Sequence, residues 1–245
     1  MPNDQENAAR ILAQTSLAEG MNAEEVAELL ASSDVTLHTY PKGAFIFHDG
    51  DMPHSLYILL EGEVHILKDT YSGRQIFLGE IRKPGVMFGE VYLFIERHAY
   101  DMFTQALAAT ELLEISSRML TQGAAEDDFG EADDPERAQR MRLQGLLQRN
   151  LLRDFARKAY QMNNMLKVLA SGSLRGKIAR YLMLQPQQAE GKICLPESRE
   201  STAIYLAVSR PALSRELSAM QKEGILAVES RTIHILDREK LEEYL

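Results

Sequence analysis

Hydrophobic and polar positions follow three rhythms along this chain, and each predicts a different kind of element. Up to residue 34 the apolar positions keep helical spacing. Ile11 and Leu12 form one group; Val26, Leu29 and Leu30 form a second, which starts after the capping residue Asn22. From Val35 the texture changes to short apolar stretches separated by turn residues, such as "GAFIFHDGD", "SLYILLEGEVHIL" and "KPGVMFGEVYLF". Tyr57 to Leu67 holds two strand-like pieces around Glu61-Gly62, and Ser72-Gly73 reads as a hairpin turn. Many short strands at this spacing predict a sandwich, roll or small barrel over 35–120.

The stretch 121–136, "TQGAAEDDFGEADDPE", is acidic and poor in large apolar residues, and predicts an exposed loop. A long helix is predicted over 137–171. Within it Leu152, Phe155, Ala159, Met162, Leu166 and Leu169 are spaced 3-4-3-4-3, a narrow seam suited to a partner helix. A helix packed on its own domain would show a wider stripe, so the seam predicts a homodimer. "ASGS", 170–173, ends the pattern and reads as a hinge. Ser173 can cap the following helix, which carries Leu174, Ile178 and Leu182 on one face.

The C-terminal stretch 172–245 is densely punctuated. It offers a strand-like "KICLP", a helix from Arg199 to Leu206, a tight turn, a second helix, and "ILAVESRTIHIL", which reads as a hairpin. In the second helix Ser209 serves as N-cap, Pro211 falls in the first turn where its missing N–H costs nothing, and Gly224 supplies the stop. At 100° per residue Leu213, Leu217 and Met220 fall within an arc of about 60°, facing a core. The outer face carries Pro211, Ser214, Arg215, Ser218 and Lys222, with Arg210 to one side and Glu216 on the flank. A face of cations and hydroxyls without an acid, set in a helix–turn–helix–hairpin order, predicts a winged helix-turn-helix. Its second helix would read the major groove, and Arg231 at the hairpin tip would contact phosphate. One position departs from expectation: the turn at Ala207 commonly requires glycine.

Charge complicates this picture and then supports it. The 245 residues carry a net charge of −9, which by itself disfavours nucleic acid. Yet from Arg137 to Arg180 there are eleven basic residues and one acid, Asp154, whereas Gly123 to Glu136 holds seven acids and no base. Phosphate responds to the local field and not to the sum, so the basic run is expected to favour DNA. The only cysteine is Cys194, which excludes a cysteine-based iron–sulfur cluster or zinc site. The six histidines lack metal-ligand spacing, and no metal site is expected. No apolar run approaches the ~20 residues needed to span a bilayer. Residues 1–10 have neither the basic start nor the apolar stretch of a signal peptide, and a cytoplasmic location is expected.

With these motifs in place the sequence resembles the CRP/FNR family of bacterial transcription regulators over about residues 35–240. The likeness rests on Gly50, Tyr57, Gly62, Gly73 and Gly85, on "FGEVYLF", similar to the family's phosphate-cassette segment, and on "SRPALSREL", similar to its recognition helix. It implies an α+β chain. The parts would be an N-terminal helical segment (1–34), an effector-sensing antiparallel β-roll of double-stranded β-helix type (35–120), the acidic loop (121–136), a dimerisation helix (137–171) and a winged helix-turn-helix domain (172–245). It also implies a homodimer on a palindromic operator with half-sites ~34 Å apart, and RNA polymerase as a further partner. Ser209, Arg210, Pro211, Ser214, Arg215, Ser218, Lys222 and Arg231 would form the DNA-binding set. Pro211 stands where cyclic-AMP-responsive members have a glutamate, so a different operator is expected.

The same resemblance places an effector pocket at Glu90, Tyr100, Asp101, Met162 and Asn163. Cyclic-AMP responders carry Arg-Ser after the glycine–glutamate pair; here Gly89-Glu90 is kept and those positions read Tyr100-Asp101. A carboxylate facing a phosphate would repel it. The hydroxyl pair that meets adenine is replaced by Met162-Asn163. An effector other than cyclic AMP is therefore expected, or none at all. Haem is not expected, because His98 is displaced from the place of the haem-binding histidine in the carbon-monoxide-sensing branch. Two alternatives stand beside the regulator: a cyclic-nucleotide-type module acting on a protein partner, and a cupin-like metal enzyme, although no His-x-His occurs.

Overall fold

Two units make up the chain, Met1–Asp154 and Phe155–Leu245. The computed structural model describes residues 2–70, 73–95, 99–121, 135–186, 192–195, 198–230 and 232–245. The first unit opens with α1 (Pro2–Leu12), a 3-10 turn at Ser16–Ala18 and α2 (Ala23–Ala31). Asn22 starts α2 through a reciprocal pair of bonds. Its side-chain oxygen accepts from the Glu25 N–H at 2.9 Å, and the Glu25 carboxylate accepts from the Asn22 N–H at 2.8 Å. Arg142 donates to the same carboxylate at 2.7 Å. The Asn22 N–H first, then Arg142, hold the Glu25 carboxyl below its ordinary 4.5.

Among the described residues eight strands follow: β1 (Val35–Tyr40), β2 (Phe45–Phe47), β3 (Ser55–Glu61), β4 (Val64–Asp69), β5 (Gln75–Ile81), β6 (Met87–Phe88), β7 (Phe103–Ala106) and β8 (Thr110–Ser116). They form two antiparallel sheets, β1-β8-β3-β6 and β2-β7-β4-β5, a roll closed around Phe47, Tyr57, Leu59, Val64, Phe88, Tyr100 and Leu112. β4 and β5 make the expected hairpin, although Ser72 in its turn lies outside the described residues. The pieces on either side of Glu61-Gly62 do not pair: β3 belongs to one sheet and β4 to the other. Gly62 turns that corner at φ +100°, and a Cβ there would come within 2.6 Å of the Ala109 carbonyl, so only glycine fits.

Next come α3 (Ser117–Thr121) and the long α4 (Pro135–Leu169); residues 122–134, which include most of the acidic stretch, lie outside the described residues. In the first unit α4 buries Leu143, Leu147, Asn150 and Leu151. The Asn150 amide donates to the Leu17 and Glu19 carbonyls, both at 2.8 Å, and ties α4 to the chain beside the 3-10 turn. This is not the seam read from the sequence.

The second unit takes in the end of α4, then α5 (Leu174–Leu184), β9 (Lys192–Cys194), α6 (Arg199–Tyr205), α7 (Arg210–Lys222), β10 (Leu226–Glu229), β11 (Thr232–Ile235) and α8 (Arg238–Glu242). Its sheet is ordered β10-β11-β9. Ile178, Leu182, Leu206, Leu213, Leu217, Met220, Ile225 and Ile233 share one core, which Val168 of α4 enters. The Ser173 hydroxyl caps α5 by accepting from the Gly176 N–H at 3.0 Å. Among the described residues no helix is long and apolar enough to cross a membrane.

Glu25 is a carboxylate whose folded pKa lies below its unfolded one. Its stabilising effect is therefore present above 4.5 and is lost as pH falls through the lower folded value. Glu25→Gln should be less stable than the unsubstituted protein at neutral pH. Denaturant titrations at falling pH should show that difference closing below 4.5.

Candidate nucleic-acid interface

Burial of one side of α7 decides what its other side presents. Leu213, Leu217 and Met220 are sealed into the core. Pro211, Arg215, Ser218 and Lys222 consequently lie exposed, with Ser214 half-buried between them. The Ser209 hydroxyl caps the helix, accepting from the Ala212 N–H at 3.3 Å, and Pro211 lies in the first turn. Arg210 is exposed, with its guanidinium 3.9 Å from the Glu200 carboxylate of α6. The Ser218 hydroxyl donates to the Ser214 carbonyl at 2.9 Å, so at a duplex it is left to accept and not to donate. Arg231 lies outside the described residues; its neighbour Ser230 turns the hairpin at φ +56°.

Three supports of this surface are invisible in the sequence pattern. Lys177 of α5 donates to the Leu206 carbonyl at 3.2 Å and closes the end of α6. Arg199 donates to the Ser230 carbonyl at 3.3 Å and links the start of α6 to the hairpin turn. Arg175 binds Glu216 and Glu223. These partners are 29 to 48 residues away in the chain, and no local periodicity announces them. The turn between α6 and α7 has Ala207 at φ +53°, the left-handed conformation that glycine adopts more easily.

The basic run needs correction as a field. Arg142 is paired with Glu25 at 2.7 Å, Arg153 with Glu19 at 3.5 Å, and Arg175 with Glu216 at 2.6 Å. Acids remote in sequence thus offset charges that the local count left bare.

In the roll, Gly89 holds φ +82°, and a Cβ there would lie 3.1 Å from the Tyr57 ring. Glu90 follows, buried, at the start of the 3-10 helix Glu90–Leu93. Tyr100 is buried, stacked on Phe47 at 3.8 Å and edge-on to Tyr92 at 4.9 Å. Its hydroxyl is sealed from water with no hydrogen-bond partner among the described residues. Burial, reinforced by the Glu114 carboxylate, pushes the Tyr100 and Tyr57 phenols far up, so both remain protonated donors. Asp101 is not the bare pocket carboxylate read from the sequence. It accepts from Lys68 at 2.9 Å and from the Tyr92 hydroxyl, which spends its charge within the roll. Met162 and Asn163 are exposed on α4 in the second unit.

Among the described residues the nearest approach to a metal-binding cluster is Glu63, His65 and Glu80, brought together across the β4–β5 hairpin. It already holds a cation. The Arg82 guanidinium lies 2.9 Å from Glu63 and 3.0 Å from Glu80, and depresses the Glu63 carboxyl.

Comparison with known proteins locates both halves of this geometry. Residues 37–127 match the cyclic nucleotide-binding domain and residues 176–244 the Crp-like helix-turn-helix domain. A CRP-like cAMP-activated global transcriptional regulator of Mycobacterium tuberculosis is 26% identical over 237 residues, covering 94% of this chain and 96% of the relative. The cyclic AMP receptor protein of Thermus thermophilus is 27% identical over 227 residues, covering 93% and 95%. The solved structure of the Thermus thermophilus catabolite activator protein aligns over 94% of this chain and 98% of that one, at 24% identity and a TM-score of 0.48.

The strained turn offers a direct check. Ala207→Gly removes a left-handed alanine and adds some unfolded-state entropy, for a net gain of roughly 0.5–1 kcal/mol. Thermal denaturation should show a higher Tm for the variant.

Proposed function

The chain belongs to the CRP/FNR family of bacterial transcription regulators, and from that premise we propose that it acts as a homodimer on a palindromic operator, gated by an effector other than cyclic AMP. That it is a DNA-binding regulator and not an enzyme follows from its family and relatives. The finer reading is carried by one observation. Leu152, Met162 and Leu166 lie 69%, 65% and 63% exposed on α4. Leaving three such side chains in water forgoes about 1.5–3 kcal/mol each, which a second copy of the helix recovers. Phe155, Ala159 and Leu169 share the stripe and complete the seam. Pairing two chains along it sets two α7 helices on successive turns of a duplex, with half-sites ~34 Å apart.

The roll supports an effector of different charge from that of the relatives. Where the resemblance calls for an arginine to neutralise a cyclic phosphate, Tyr100 is stacked on Phe47, and Glu90 is buried close by. A protonated phenol donates to a neutral acceptor and does not cancel an anion. We therefore assign the roll a neutral or cationic small molecule, with Glu90, Tyr100 and Asp101 as the proposed sensing set. No haem or iron–sulfur cluster is part of this reading. RNA polymerase is the proposed protein partner once the dimer is on DNA.

Sedimentation of Leu166→Glu should show a monomer where the unsubstituted chain sediments as a dimer; an unsubstituted chain that is monomeric at micromolar concentration would sink the reading. On a duplex enriched from a random pool, Arg215→Ala should bind about 1–3 kcal/mol more weakly. Calorimetric titration with cyclic AMP should give no binding heat, and saturable heat would overturn the effector assignment.

A further inference from the structure

The exposed face of α7 is cationic, yet the helix and its C-cap carry two acids, Glu216 and Glu223. Both end on one residue of another helix. Arg175 of α5 donates from Nε to Glu216 at 2.6 Å. Its Nη1 and Nη2 donate to the two oxygens of Glu223 at 2.7 and 2.9 Å. Nη1 also reaches the Tyr244 hydroxyl at 3.2 Å, and the guanidinium lies over that ring, 5.2 Å from its centre. The bonds to Glu223, Tyr244 and Glu216 push the guanidinium pKa further up, so the charge is permanent. Only 21% of the Arg175 side chain is exposed, and every nitrogen is engaged within the unit. It is therefore not placed as a phosphate ligand.

We propose that Arg175 is a charge-masking residue: without touching DNA, it holds the carboxylates of the recognition helix and its C-cap and offsets one of their two negative charges, so that Arg210, Arg215 and Lys222 meet the duplex with less opposing charge beside them. Glu216 follows Arg215 in the chain, and a helix is only about 10 Å across. A bare carboxylate there would stand within a screening length of ~8–10 Å from any phosphate that α7 approaches. Lysine could not substitute fully, because a point charge lacks the planar fork that serves Glu223 through two nitrogens while Nε serves Glu216. The role rests on α7 being the helix that meets DNA.

The test uses the full-length protein, a duplex enriched from a random-sequence pool by the unsubstituted chain, and a mixed-sequence duplex as a second probe. Arg175→Gln removes one positive charge and should weaken binding to both about threefold at moderate salt, and the defect should shrink as salt rises. Adding Glu216→Gln and Glu223→Gln to the same chain should restore most of the affinity, although it rebuilds none of the clamp's ion pairs. Arg175→Lys should fall between. A residue that merely holds the fold would give a loss equal at all salt concentrations and unrelieved by neutralising the glutamates; that result, or no loss at all, overturns the proposal. Arg215→Ala, measured alongside, separates the two levels. If it binds both duplexes as the unsubstituted chain does, the assignment of α7 falls and the role of Arg175 falls with it. If it weakens binding while Arg175→Gln does not, only the masking role falls.

Discussion

One helix has to satisfy two apolar stripes, and the rest of the molecule is arranged around that demand. Leu143, Leu147 and Leu151 of α4 are buried within the first unit, where Asn150 anchors the helix to two carbonyls of the N-terminal segment. Leu152, Met162 and Leu166 point elsewhere and are left in water by a single chain. Thirty-five residues of α-helix extend for about 50 Å, far more surface than one small domain covers. Along the first stripe, Asn150 and Arg142 tie α4 to the helical segment before the roll. The second explains why the proposed working form has two copies.

A second constraint is electrostatic. Counting charges along the chain separates an acidic stretch from a basic one, but phosphate senses distance in space. Arg142, Arg153 and Arg175 all belong to the basic run, and each meets a glutamate far away in sequence. The surface proposed to meet DNA lies elsewhere, on the outer side of α7, which is cationic because its apolar side is buried and its acids are held by a neighbouring helix. The Asp101 carboxylate shows the same logic in the roll. Paired with Lys68 and bonded by Tyr92, it is engaged within the roll. The Tyr100 hydroxyl is sealed in, with no hydrogen-bond partner among the described residues.

The roll, residues 37–127 of which match a cyclic nucleotide-binding domain, has an aromatic interior. Gly89 holds a left-handed turn close to Tyr57, where a Cβ would be strained by its φ of +82° and would lie 3.1 Å from the ring. Phe47, Tyr57, Phe88 and Tyr100 stack within this space.

What the amino-acid order determined by itself was everything that depends on near neighbours. The capping pair Asn22 and Glu25, the Ser209 and Pro211 start of α7, the 3.6-residue burial of Leu213, Leu217 and Met220, and the hairpin strands at the C-terminus all follow from interactions within a few residues. The left-handed Ala207 was also foreseeable, because the turn requires that conformation whatever residue fills it. The tertiary structure alone decided which charges survive, which sheet β3 and β4 join on either side of Gly62, that α4 needs a second buried stripe, and that Asp101 is spent on Lys68. Those outcomes depend on groups tens of residues apart, brought together by burial, and no periodicity in the chain encodes such distances.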